Sequence, residues 1–309
     1  MQILCERKRC IMKNTTAKFM CIILSVALLL TALPLTVFAV DGVKEAGTKE
    51  ELDAICAEIN QNGGTYTINL TGDIIGGQVE IKNKDAVVTV IGNGHTLYNP
   101  ATAVYVENGA KVILGNGESE LILTGNNSSI NGVTNDSPGI IHVLPGSTCE
   151  MNDKVTVKDR KSQNYLGAGA TVQGGTFIMN GGTIQNCGIA GVPNTDIDGG
   201  SVCYGGGVAV FAGGIFTMNG GTITECYAKS NYPSDDYSKL YTAMGGGVFV
   251  SGSSVFTMNG GTISNCEATN FGGGVAVVTE STQSNGTLTS KATVNNGTIS
   301  DNKIGRAHV

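Results

Sequence analysis

The residues best equipped for recognition chemistry lie in two long insertions between repeated segments. The second insertion gathers Tyr227, Tyr232, Tyr237 and Tyr241 with Asp235 and Asp236, placing four of the chain's nine tyrosines in one short stretch. Tyrosine faces beside carboxylates stack on sugar rings and hydrogen-bond hydroxyls, so a glycan or protein contact is expected there. The first insertion carries Asn194, Asp196 and Asp198 at alternate positions, followed by Gly199, which is the opening rhythm of a Ca²⁺ loop. The bidentate Glu that such a loop needs at its twelfth position is Gly205 here, which weakens the Ca²⁺ reading, and no other cofactor is expected. Cys187, Cys226 and Cys266 share one repeat position, with Asn302 at the fourth. An interior column of free thiols ending in an amide is expected; neighbouring disulfides are the alternative, and a metal site fits less well because no His accompanies them. The one dense mixture of acid and base is Asp136, His142, Asp153, Lys158, Asp159 and Arg160, where an enzyme's cleft would lie.

What must position these groups is an internal repeat. The pattern FxMNGGTIxxC runs from Phe177 to Cys187, Phe216 to Cys226 and Phe256 to Cys266, and a degenerate copy runs from Ala292 to Asn302. A GGGV tetrad precedes the last three, at Gly205–Val208, Gly245–Val248 and Gly272–Val275. Within each copy apolar residues alternate with polar ones, as in Phe216 and Met218 around Thr217, which is the period of a strand with one buried face. The 22 residues from Gly205 to Cys226 hold three such strands, about one turn of a three-sided coil. Stacked copies place like residues above one another at roughly 4.8 Å, giving ladders such as Val208/Val248/Val275, Phe177/Phe216/Phe256 and Ile184/Ile223/Ile263/Ile299. Gly181, Gly220, Gly260 and Asn296 occupy a position taken only by Gly or Asn, which predicts a left-handed corner there.

Upstream, Thr48 to Ile59 predicts an amphipathic helix with a Thr48/Glu51 capping box and an apolar stripe of Leu52, Ile55 and Ile59, suited to cover the first coil. Short strands follow at Thr65–Leu70, Val79–Lys82, Val87–Ile91, Ala103–Val106, Lys111–Leu114, Leu121–Thr124, Ile140–Leu144 and Lys154–Val157. The expected organisation is a cap over 40–64, irregular coils over 65–166 and regular coils over 167–303.

The Val88–Leu97 segment, the FxMNGGTIxxC copies and the GGGV tetrads resemble bacterial parallel β-helix proteins of the pectate-lyase-like superfamily, and among them adhesin-like surface proteins. The resemblance covers nearly all of the chain after its first 39 residues. It implies an all-β fold, a right-handed parallel β-helix of three sides with an N-terminal capping helix. It does not decide function, because this fold hosts lyases, hydrolases and adhesins alike.

Lys13 and Lys18 precede an apolar run from Phe19 to Leu33, and Val37 to Ala39 offers small cleavage positions, so residues 1–39 read as a secretory signal, with a single-pass anchor as the alternative. Removing them leaves 14 basic against 24 acidic residues, a net charge of −10 that disfavours nucleic acid or an anionic membrane as partner. Residues 304–309 lack the repeat grammar and match one reading frame of a common sequencing adapter, so they are expected to be a non-native tail on a truncated chain. The expected function is an exported, non-catalytic, adhesin-like protein that binds a glycan or a host or bacterial surface protein and does not insert in a membrane after signal cleavage. A polysaccharide lyase or glycoside hydrolase is the rival reading, and a passive stalk for a missing C-terminal domain the third.

Overall fold

The computed structural model describes residues 42–125, 138–162, 166–190, 203–230, 243–282 and 286–304. These residues form mostly short strands in parallel sheets together with one α-helix, α1 (Lys49–Asn62). Three sheets carry the stack, of nine, seven and eight strands, and in each of them every strand pairs in parallel with its counterpart one coil away. The chain visits them in rotation: Val208–Phe211 in the seven-stranded sheet, Ile215–Met218 in the nine-stranded, Thr222–Thr224 in the eight-stranded. The one antiparallel pairing among the described strands is the hairpin of Glu280–Thr282 with Gly286–Leu288.

The register follows the repeat residue for residue. Phe177 pairs with Phe216 and Phe216 with Phe256, Ile184 with Ile223 and Ile263, and Val208 with Val248 and Val275. The phenylalanine rings stack with centroids 5.4 and 5.0 Å apart, and every member of this ladder is buried. Each fully buried Phe removes enough apolar surface to contribute about 1.5–3 kcal/mol, and the stack continues that stripe from coil to coil. The coils of 65–166 obey the same register, with Val90 on Leu114 and Leu114 on Met151. Their irregularity lies in sequence, not in pairing.

At the first coil α1 buries Leu52, Ile55, Cys56 and Ile59, and the Thr48/Glu51 capping box is formed. Asn60 ties the helix to the strand Val79–Ile81 by donating to the Glu80 carbonyl and accepting from the Lys82 amide just beyond it. A strand the sequence did not announce, Gly42–Ala46, precedes the helix and pairs with Gly64–Leu70, so the cap is a strand and a helix together. At the other end Val294 and Ile299, which sit in core columns, are 52% and 42% exposed because no described coil covers them. Ile304, assigned to the tail, pairs with Ala268. Residues 305–309 and the signal segment, 1–39, lie outside the described residues.

The left-handed corner lies one residue later than expected. Positive φ falls at Gly182, Gly221, Gly261 and Gly297, from 77° to 116°, and not at Gly181, Gly220 or Gly260. The earlier glycine is required by close approach instead: a Cβ on Gly220 would stand 2.6 Å from the Asn180 carbonyl oxygen of the coil before. The next left-handed position uses Asn186, Glu225, Asn265 and Asp301, each just ahead of the cysteine column.

Candidate functional site

The two insertions leave and rejoin the stack through ordered stems. After the cysteine position the chain enters a five-stranded parallel sheet, with Gly188–Ala190, Tyr227–Lys229 and Glu267–Ala268 in adjacent places. Before the GGGV tetrad it returns through Cys203–Tyr204 and Ala243–Met244, also paired in parallel. The described stems of successive insertions therefore lie side by side where the chain leaves the stack and where it returns. Of the expected contact residues, Tyr227 is in the stem. Its ring fills the space over Gly188, where a Cβ would lie 2.1 Å from the phenol carbon, and the Lys229 ammonium, paired with Glu267 at 2.8 Å, sits 5.2 Å from the ring centre. Burial pushes its hydroxyl pKa up. Tyr232, Asp235, Asp236, Tyr237 and Tyr241 lie outside the described residues, as do Asn194, Asp196 and Asp198.

The returning stems cover part of the outer face of the seven-stranded sheet. Tyr204 stacks on Phe249 with centroids 4.3 Å apart, and Met244, Ala276 and Val278 complete a small apolar cluster outside the coil core. Further along the same outer face, register aligns Glu80, Tyr105 and His142, with Thr171 next. Lys82 and Glu107 flank that row. Lys82 lies 2.7 Å from Glu80 and 3.7 Å from Glu107, and its ammonium stands 5.8 Å from the Tyr105 ring centre. The Tyr105 hydroxyl donates to Glu107 at 3.2 Å, and its ring meets the His142 imidazole edge-on at 5.4 Å. His142 is only 8% exposed, and neither ring nitrogen has a hydrogen-bond partner of ordinary geometry although Gln173 lies beside it. Burial holds its pKa below 6.5, against smaller opposing effects of Gln173 and Glu107, so the ring is neutral at neutral pH. A neutral imidazole has one donor and one acceptor, and leaving both unmet costs about 1–3 kcal/mol per group.

The acid and base residues that an enzyme was expected to use do not converge. His142 is on the outer face of the seven-stranded sheet, while Arg160 points into the coil. There it is fully buried and donates to the carbonyls of Pro100, Ala101 and Pro138, with its pKa brought down to about 10 by burial. Half-buried Lys158 ends a strand of the eight-stranded sheet, 3.7 Å from exposed Asp159, which accepts from Asn186. Asp153 sits at the turn beside Gly181, and Asp136 lies outside the described residues. Glu80, Lys82, Tyr105, Glu107 and Gln173 were missed by sequence reasoning. The alternation in Val79–Ile81 and Val104–Val106 marks their outward direction, but only register shows that they share a face.

Cys187, Cys226 and Cys266 are free, fully buried and in register, and each thiol donates weakly to an Ile or Val carbonyl of the coil before it, at 3.8–3.9 Å. Burial raises the Cys226 thiol pKa, which suits a packed side chain rather than a nucleophile. Asn302 ends the column by donating to the Ile263 carbonyl at 3.0 Å and accepting from the Cys266 amide at 2.9 Å. Arg160 begins it, one coil before Cys187, as the pairing of Lys161 with Gly188 shows. Outside the core runs a second ladder, of amides: Asn295 donates to Asn259, Asn259 to Asn219, Asn219 to Asn180 and Asn180 to Asn152, at 2.8 to 3.1 Å. Among the described residues no group of three or more His, Cys, Asp or Glu could hold a metal ion, and no helix is long and apolar enough to cross a membrane. No protein-family model matches the chain, no curated protein matches it and no solved structure matches it.

Proposed function

We propose that the chain is an exported, surface-displayed right-handed parallel β-helix of three sides that binds a glycan or a surface protein and does not catalyse its breakdown. The observation that carries this reading is the pair of stems. Parallel pairing of Tyr227–Lys229 with Gly188–Ala190, and of Ala243–Met244 with Cys203–Tyr204, brings the stems of consecutive insertions together, and loops carried on a regular scaffold are where binding residues concentrate. The separation of Arg160, Asp153, Lys158 and His142 onto different sides supports binding over acid–base chemistry, which needs its groups within hydrogen-bond reach of one substrate.

The test is retention of the secreted protein in gels containing a panel of polysaccharides, with new chain ends measured in parallel. Retention without new ends, weakened when residues 231–242 are deleted, is expected. Appearance of new ends overturns the reading in favour of a lyase or hydrolase. Absence of retention throughout, together with no binding to surface proteins, leaves a stalk.

A further inference from the structure

The sequence sets glycine directly after asparagine ten times, and in eight of these pairs both residues are described. An Asn–Gly pair can react with itself. The glycine nitrogen, once it has lost its proton, attacks the side-chain amide carbon of the asparagine, ammonia leaves, and the resulting succinimide is opened by water to aspartate or isoaspartate. Glycine favours the step because it puts no Cβ in the way of the closing ring. The reaction needs a glycine N–H open to solvent and is helped by donors on the asparagine side-chain oxygen, where negative charge develops.

Seven of the eight pairs have that N–H tied. In the asparagine ladder the amides of Gly181, Gly220 and Gly260 donate to the carbonyls of Met151, Met179 and Met218. The side chains of Asn180, Asn219 and Asn259 are themselves bonded on both sides. Gly63 and Gly94 donate to the Ile59 and Glu120 carbonyls, Gly109 to the Ser147 hydroxyl, and Gly297 to the side-chain oxygen of Asn296. Asn116–Gly117 is different. It lies in the turn between the strands Lys111–Leu114 and Leu121–Thr124, with Asn116 exposed. Among the described residues the Gly117 amide donates to no acceptor. The Asn116 side-chain oxygen accepts from the Glu118 amide at 2.9 Å, the Ser119 amide at 3.1 Å and the Ser119 hydroxyl at 3.4 Å. Three donors thus already point at the atom that gains charge as the ring closes.

We infer that Asn116–Gly117 is a site of spontaneous covalent modification, at which the Gly117 nitrogen displaces ammonia from the Asn116 side chain. The Gly117 proton passes to solvent hydroxide, the bond from the Asn116 amide carbon to its NH₂ breaks as that nitrogen takes a proton from water, and a second water opens the ring. One water is consumed for each ammonia released, and nothing is oxidised or reduced. The turn gains a negative charge beside Glu118 and Glu120. This holds whatever the protein binds.

The test keeps the full chain in mildly alkaline buffer, folded and in parallel in denaturant. Peptide mapping by mass spectrometry follows the gain of one mass unit at each pair, with isoaspartate separated from aspartate by chromatography. In the folded protein Asn116 is expected to convert first of the eight, and at least as fast as in denaturant, because unfolding frees every glycine amide but removes the three donors. Asn180, Asn219 and Asn259 are expected to convert about tenfold more slowly folded than denatured, the effect of holding the glycine nitrogen in a backbone hydrogen bond. Asn116→Gln, whose longer side chain closes its ring far less readily, assigns the first product by removing it while strand content by circular dichroism is unchanged. The inference is overturned if any of the other seven pairs converts before Asn116 in the folded protein, or if Asn116 converts more slowly folded than denatured.

Discussion

His142 is the residue whose surroundings depart furthest from what its neighbours in sequence suggest. Flanked by Ile141 and Val143 on a short strand, it faces outward, yet Tyr105 and Gln173 close over it and its pKa falls. The consequence for stability has a definite sign. The unfolded chain takes up a proton at about 6.5 while the folded imidazole resists it, so the stabilisation is complete above 6.5 and is lost as pH falls below that value. The thermal midpoint of the unmutated protein should therefore drop more between pH 7 and pH 5.5 than that of His142→Asn, measured by circular dichroism at both pH values. Equal drops would mean that the ring gains its proton freely in the folded state. Arg160 shows the opposite solution to burial, since its guanidinium stays charged by donating to three carbonyls.

At the scale of the element, a strand in this protein is stable only as part of its ladder. Each described strand is two to seven residues long, far too short to stand alone, and those inside the three large sheets are held by parallel neighbours on both sides. Position in the stack therefore sets the cost of a deletion. Phe216 lies between Phe177 and Phe256 and is fully buried, whereas Ile299 is 42% exposed in the last described coil. Phe216→Ala should cost about 3–5 kcal/mol and Ile299→Ala well under half of that, as read from denaturant unfolding midpoints. A similar cost for both would show that the last coil is covered in solution. The repeat spelled out the ladders of Phe, Met, Ile and Val correctly because burial enforces period two on each strand. It misplaced the left-handed corner because two successive glycines are both required, one for its φ and one for the space taken by a neighbouring carbonyl.

At the scale of the molecule, the first coil and the last described coil differ in how their apolar columns are covered. The first coil is closed by Gly42–Ala46 and by the apolar face of α1, while Val294 and Ile299 at the last described coil are open. Closure matters because an uncovered end offers both apolar surface and unpaired strand edges to other chains. Leu52→Asp, which puts a charge in the fully buried centre of the helix face, should undock the cap and raise the apparent mass in light scattering, with strand content by circular dichroism largely kept. Unchanged mass would show that Gly42–Ala46 alone suffices as a cap.

The sequence by itself determined the parallel repeating β architecture, the capping helix with its Thr48/Glu51 box and the members of the Phe, Met, Ile and Val columns in the regular coils, but not Arg160 at the head of the cysteine column. These follow from periodicity and repeat spacing, which are local properties written along the chain. Only the tertiary structure decided which outward residues share a face. Glu80, Tyr105 and His142 are separated by 25 and 37 positions and meet because coils of unequal length still pair strand on strand. Coil length varies at the corners, where insertions are tolerated, whereas hydrogen-bonded register within the sheets is not free to slip without turning the core outward. A site assembled across coils is thus invisible to spacing, and His142 acquired its buried, neutral ring from neighbours that no motif connects to it.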